Sequence, residues 1–240
     1  MTQVETTSSN PRKLLFVKHS KGWDVDRVNR WAEKRGHLIE RCFPADGDKL
    51  PDPSSYHGVV VFGGAMSAND CRIQPWMLGE LSFIDDCIEG QTKFFGICLG
   101  AQMLARVLGS TVSEPQCGNK EVGFYPLTPA PESDFLAAGD TMFQWHREGF
   151  ALPTGARLLA SSDIFPNQAF SVEGGHYGVQ FHPEVNPDAL AIWHARIPAE
   201  KYPWLTDEIR QSHMQQCLDS DERITQWIEH FLDNWIAAKA

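Results

Sequence analysis

The chain has 240 residues, of which 42% are hydrophobic and 22% charged. That composition excludes a disordered or collagen-like chain, and the length suits one sizeable domain or two small ones. Lysine and arginine number 21 against 31 aspartates and glutamates, a net charge of −10. So acidic a chain has no overall attraction to nucleic acid or anionic lipid.

The first ten residues, Met1 to Asn10, are polar and lack an apolar secretion signal. Residues 1–12 are expected to form a flexible tail, with one domain over 13–240. Leu14 to Val17 is the first short apolar run that suits a strand. Asp24 to Arg35 places Val25, Val28 and Trp31 on one side of a helix that ends at Gly36. Gly58 to Phe62 reads as a second strand, closing on Gly63 and Gly64. Pro75 opens a helix with Met77, Leu81, Ile84 and Ile88 at helical spacing. Phe94 to Ile97 is a third strand, ending at Cys98, and a further helical pattern runs through Gln102, Met103, Leu104, Val107 and Leu108. Near-continuous apolar runs suit strands buried on both faces, as in a parallel sheet. Strand alternating with helix is the pattern of an α/β domain.

The middle of the chain changes character. Val122–Leu127, Arg157–Ser161, Ala169–Val172 and Gly178–Phe181 read as strands separated by turns, an antiparallel extension of the same sheet. The segment from about 186 to 240 returns to helix. Ile224, Trp227, Ile228, Phe231, Leu232, Trp235 and Ile236 recur at helical spacing, with Asp219 or Ser220 as the cap. This helix either packs on the body or offers its two tryptophans to a partner. The stretch Phe94 to Ala105 is broken by Gln102 and is too short to cross a bilayer.

Six cysteines occur, at 42, 71, 87, 98, 117 and 217, and none forms a CxxC pair. Zinc and redox motifs therefore have no support, and free thiols in a reducing cytoplasm are expected. Cys98 stands apart. Gly96-Ile97-Cys98-Leu99-Gly100 follows an apolar strand and precedes a helix, the setting of a nucleophile elbow. A helix N-terminus beside the sulfur favours the thiolate.

Gly178-Val179-Gln180-Phe181-His182-Pro183-Glu184 supplies a base and its orienter. His182 ends an apolar strand, and Glu184 shares its face in an extended chain. The carboxylate can hold one imidazole nitrogen and leave the other for a thiol proton. The order Cys, His, Glu disfavours an α/β-hydrolase, in which the acid lies between nucleophile and histidine.

On these segments the chain resembles the class I, or triad, glutamine amidotransferase family. Gly96 to Gln102 resembles its nucleophile segment and Gly178 to Glu184 its His-Glu segment. Phe62-Gly63-Gly64-Ala65-Met66-Ser67 resembles its oxyanion strand end, although many members have proline where Ala65 stands. The match covers about residues 13–185, and the layout is similar to stand-alone proteins related to the amidotransferase domain of GMP synthase. The resemblance implies a doubly wound, mostly parallel, flavodoxin-like sheet with its site at the carboxyl ends of the strands. It implies that Cys98 attacks the glutamine γ-carboxamide, that His182 carries the proton and that Glu184 orients His182. A γ-glutamyl thioester would form and water would release glutamate. The N–H groups of Gly64 and Leu99 would hold the oxyanion. Gln102 resembles a glutamine-contacting position. His146, in Trp145-His146-Arg147-Glu148, either contacts the amino-acid part of the substrate or belongs to a solvated turn. No cofactor or metal is implied, since covalent cysteine chemistry needs neither.

Three functions compete. The first is glutamine hydrolysis, with ammonia passed to a separate synthase partner. The second is hydrolysis of other γ-glutamyl compounds such as γ-glutamyl peptides. The third is a non-catalytic binding protein that keeps the fold.

Overall fold

The structure, a computed structural model, describes residues 11–22, 24–116, 118–198, 200 and 202–238. The tail expected over 1–12 thus lies outside the described residues, apart from Pro11 and Arg12, and so does Cys117.

The first half of the chain alternates strand and helix. Strand β1 is Lys13–Val17, helix α1 Arg27–Lys34, β2 Leu38–Cys42 and β3 Gly58–Val61. Helix α2 is Trp76–Glu89, β4 Phe94–Ile97 and α3 Leu99–Val107. The middle holds β5 Val112–Ser113, β6 Glu121–Pro126, β7 Thr128–Pro129, β8 Thr141–His146 and β9 Gly149–Phe150. Then come β10 Arg157–Ser161, β11 Ala169–Val172 and β12 His176–Val179, followed by helices α4 Pro187–Arg196 and α5 Asp207–Ala237.

Eight strands form one sheet in the order β2-β1-β3-β4-β12-β11-β10-β7. The first five run parallel, and β12-β11-β10-β7 pair antiparallel. The parallel part has the strand order of a flavodoxin-like doubly wound sheet. Strands β3 and β4 are buried at every residue, which accounts for their uninterrupted apolar sequence.

Two differences from the sequence expectation have physical causes. Strand β2 lies on the sheet edge, where its residues alternate in exposure and carry Glu40 and Arg41. An edge strand needs no apolar run. Strand β6 was expected to extend the main sheet but pairs only with β8, in a separate ribbon whose Glu121 meets His146. Of the strands expected there only β10 and β11, with short β7, form the antiparallel extension, whereas β12, which takes in Gly178 and Val179, runs parallel to β4.

Apolar side chains pack on both faces of the sheet. Helices α2 and α3 bury Met77, Ile84, Met103 and Leu104 against Leu15, Val59, Val61 and Phe94. Helices α1 and α5 cover the other face, with Val28, Trp31, Ile224, Ile228, Leu232 and Trp235 against Leu14, Phe16, Val60 and Phe95. Helix α5 has 31 residues and is capped by Thr206, well before the expected cap at Asp219 or Ser220. Its first half is mostly polar, burying only His213, Cys217 and Ser220, so no apolar stripe announces it. Both tryptophans serve the fold. Trp235 Nε1 donates to the Gly175 carbonyl at 2.8 Å and Trp227 Nε1 to the Phe135 carbonyl at 2.6 Å. Among the described residues no helix is long and apolar enough to cross a membrane.

Candidate active site

The carboxyl ends of β1, β3, β4 and β12 converge on one cavity of about 530 Å³, lined among others by Lys18, His19, Gly63, Gly64, Cys98, Gln102, His182 and Glu184.

Cys98 sits between β4 and α3, as the residue before the helix, with φ 51° and ψ −104°. That conformation is rare for a residue with a side chain and costs about 1–3 kcal/mol. The surrounding packing enforces it. Gly96 and Gly100 face each other so closely that a Cβ on Gly96 would lie 2.6 Å from the Gly100 carbonyl oxygen. A Cβ on Gly100 would lie 2.2 Å from the Val61 oxygen. Cys98 N–H donates to the Val179 oxygen at 2.7 Å, tying the elbow to β12. Leu99 is the first residue of α3, and the first amides of a helix have no acceptor within it. The elbow therefore turns the sulfur and free N–H groups toward the cavity end of the sheet.

His182 follows β12 and is 3% exposed. Its Nδ1 lies 2.8 Å from Glu184 Oε1, while its Nε2 is buried with no hydrogen-bond partner among the described residues. Burial pushes the imidazole pKa down. The charges of Glu184 and of a Cys98 thiolate outweigh it and hold the ring at about 10. The site thus favours the imidazolium form of His182. Glu184 has its own support, since its carbonyl accepts from Arg27 N–H at 2.8 Å. Beyond it lies buried Asp26, which Lys18 Nζ meets at 3.1 Å. Burial raises the Asp26 pKa, with Lys18 opposing and Glu184 reinforcing the rise.

The Gly63–Gly64 turn closes over the pair. A Cβ on Gly63 would lie 2.9 Å from His182 Cε1 and 3.4 Å from Cys98 Cβ. A Cβ on Gly64 would lie 2.8 Å from Leu99 Cδ2, so the two expected oxyanion residues adjoin. His19 supports the turn from β1. Its Nδ1 lies 3.0 Å from the Gly63 oxygen and its Nε2 3.1 Å from Glu80 Oε1. With Glu80 ionised both partners accept, so both ring nitrogens donate and the ring carries the charge of an imidazolium. Burial opposes that charge, and Glu80 and the Gly63 carbonyl together raise the His19 pKa.

Gln102 and Gln180 form a buried relay to the sulfur. Gln102 Nε2 donates to the Glu148 carbonyl at 3.0 Å and to Gln180 Oε1 at 3.1 Å. Gln180 Nε2 lies 3.5 Å from Cys98 Sγ. His146 lines the cavity, yet its ring nitrogens face protein partners. Nδ1 is 3.0 Å from the Glu148 carbonyl, and Nε2 is 3.0 Å from Glu121 Oε2 and 3.1 Å from Gln144 Oε1. It is therefore part of a buried polar network and not of a solvated turn.

Cys98, His182, Glu184, Gly64, Gln102 and His146 thus line one cavity, with Leu99 beside Gly64. Gln180, His19 and Glu80 were not assigned roles from the sequence. Glu80 carried the clearest overlooked signal, a carboxylate at helical spacing from Met77 and Phe83, Ile84 and Cys87 on a buried face. The other described cysteines, at 42, 71, 87 and 217, are free thiols, and the described residues hold no cluster suited to a metal ion.

Residues 37–191 match the family Glutamine amidotransferase class-I. The glutamine amidotransferase-like protein YfeJ of Salmonella typhimurium is 30% identical over 188 residues, 74% of this chain and 78% of that protein. A GMP synthase of Porphyromonas gingivalis is 34% identical over 58% of this chain, which spans only 27% of that longer protein. Gamma-glutamyl peptidase 4 of Arabidopsis thaliana is 27% identical over 69% of this chain and 66% of its own length. The crystal structure of a glutamine amidotransferase from Thermotoga maritima superposes with a TM-score of 0.86 at 25% identity, covering 96% of this chain and all of that one. With most of the sheet and the entire elbow inside the matched segment, the chain belongs to the class-I glutamine amidotransferase family.

Proposed function

We propose that residues 13–240 act as one unit that cleaves the γ-carboxamide of glutamine through a thioester on Cys98. The observation that supports this best is the convergence of a strained cysteine, a buried imidazole with an open Nε2 and a glycine turn on one cavity. The Cys98 thiolate attacks the γ-carbonyl carbon, and the C–S bond forms as negative charge moves to oxygen. The N–H groups of Gly64 and Leu99 hold that oxyanion. The imidazolium of His182 gives its Nε2 proton to the departing nitrogen, the C–N bond breaks and ammonia leaves. Glu184 keeps the ring oriented through Nδ1. Water then attacks the thioester, with His182 taking its proton, and glutamate and the thiolate are released.

In this account Gln102 shapes the floor of the site through Gln180, and His146 fixes the carbonyl of Glu148. Free ammonia diffuses and protonates at neutral pH, so a separate synthase that accepts it is the expected partner. A second reading, hydrolysis of larger γ-glutamyl compounds, is favoured by the cavity volume and by the likeness to Gamma-glutamyl peptidase 4. The same thioester serves both.

The test is release of glutamate and ammonia from glutamine by the full chain, with Cys98→Ala as control. Cys98-dependent release is expected. Release that persists in Cys98→Ala, or the absence of release from every γ-glutamyl amide, would overturn the proposal.

A further inference from the structure

The cavity wall beyond His182 is aromatic. The Trp193 ring, on α4, lies 4.9 Å from the His182 ring at 82°. Trp145, at the end of β8, is 6.2 Å from Trp193 and 6.1 Å from Trp204. Tyr202 completes the group, 5.9 Å from Trp204. All four are only partly buried, and all four line the cavity that holds Cys98. The exposed Lys120 places Nζ 4.0 Å over the Trp204 ring, and Arg147 and Arg196 line the same cavity.

The position of this wall is informative on the proposed chemistry. His182 Nε2 delivers the proton to the leaving nitrogen, so the leaving group lies on the side of that ring. The next surface on from the ring is Trp193, followed by Trp145 and Trp204. Ammonia would contact nothing there. Aromatic side chains each bury about 150–250 Å² when covered, and leaving several half-open to water is unfavourable. A cavity of about 530 Å³ is also in the range that holds a drug-sized ligand, far larger than glutamine. The Lys120 ammonium beside the rings fits a carboxylate on the same leaving group.

Resting on the thioester chemistry proposed above, we infer that the preferred substrates are γ-glutamyl dipeptides whose second residue is aromatic. The aromatic ring stacks in the Trp145–Trp193–Trp204 wall, and its α-carboxylate faces Lys120. Attack by Cys98 breaks the γ-amide C–N bond and forms the C–S bond. The His182 proton passes to the amine of the aromatic amino acid, which leaves intact. Water then releases glutamate.

The experiment compares kcat/KM for γ-glutamylphenylalanine, γ-glutamylalanine and glutamine with the full chain. It also measures binding of both dipeptides to Cys98→Ala by calorimetry. At least about tenfold preference for the phenylalanine dipeptide over the alanine dipeptide is expected in both assays. Trp204→Ala should bring that ratio to within roughly threefold, and Trp204→Phe should retain it. Equal handling of the two dipeptides by the wild-type chain overturns the inference and leaves the thioester chemistry standing. A ratio that survives both Trp204→Ala and Trp145→Ala also overturns it. Aromatic-selective binding to Cys98→Ala without turnover by the wild-type chain supports the aromatic subsite and instead refutes the hydrolytic reading.

Discussion

Glu80 and His19 meet beneath the Gly63–Gly64 turn, with Glu80 Oε1 3.1 Å from His19 Nε2 and both side chains almost fully buried. The other ring nitrogen of His19, Nδ1, meets the Gly63 carbonyl at 3.0 Å. Carbonyl and amide of one turn point in opposed directions, so fixing the Gly63 oxygen fixes where the next N–H, that of Gly64, is aimed. The His19–Glu80 pair thereby lends rigidity, from outside the backbone, to the turn that leads into Ala65.

Glu80→Gln is therefore expected to lower kcat by roughly tenfold to a hundredfold while KM changes by less than about threefold, since an oxyanion donor acts mainly in the transition state. The variant should also lose activity at lower pH than wild type, because the neutral amide no longer stabilises the His19 imidazolium. Steady-state kinetics across pH would check both. An unchanged pH profile with kcat and KM altered together would indicate a merely structural role.

Gln180 lies 3.5 Å from the Cys98 sulfur and is fully buried. Gln180→Glu would put a second negative charge beside a thiolate, which disfavours it. Alkylation of Cys98 by iodoacetamide is expected to slow by about tenfold or more. A rate equal to wild type would show that Gln180 does not reach the sulfur in solution.

The pH dependence of stability has a definite sign at His182. Its pKa rises from 6.5 when free to about 10 in the folded chain, where Glu184 and Cys98 outweigh the opposing effect of burial. A raised pKa means that the protonated ring favours folding. Its contribution is complete below pH 6.5 and is lost as pH climbs from there through about 10. Urea unfolding of wild type and His182→Gln should show a stability gap that shrinks across that window. A gap that widens with pH would contradict the assignment.

Two glycines give opposite expectations. Gly79, inside α2, has open space around the position of a Cβ. Gly79→Ala should stabilise the chain by about 0.5–1 kcal/mol through helix propensity. Gly100→Ala would drive a methyl to 2.2 Å from the Val61 carbonyl oxygen, between two elements that cannot part without breaking the elbow. A loss of roughly 3 kcal/mol or more is expected, with little soluble protein. Thermal melts and expression yields of the two variants check this contrast.

The legible parts of the fold and site share a physical cause. Strands β1, β3 and β4 are buried on both faces, so their sequences are nearly pure apolar runs. The elbow is legible because its glycines answer a close backbone approach. Edge strand β2 and the β6–β8 ribbon are not, because exposure in one and a buried polar network around Glu121, Gln144 and His146 in the other remove the apolar signature. The polar first half of α5 hides its start in the same way. At the site, Cys98, His182 and Glu184 are recognisable from local spacing. His19 and Glu80 are 61 residues apart, and Gln180 and Cys98 are 82 apart. Nothing in a single sequence indicates that such pairs meet. The aromatic wall is gathered from β8, α4 and the segment before α5, and only the folded chain brings Trp145, Trp193 and Trp204 together.

The central claim is the covalent intermediate on Cys98. Rapid acid quench of the full chain mixed with glutamine or a γ-glutamyl dipeptide, followed by intact and peptide mass spectrometry, tests it directly. The account expects a γ-glutamyl group on the peptide that carries Cys98, labile to hydroxylamine and absent from Cys98→Ala. Substrate turnover with no adduct on Cys98 even when deacylation is slowed, or an adduct on another residue, would contradict it.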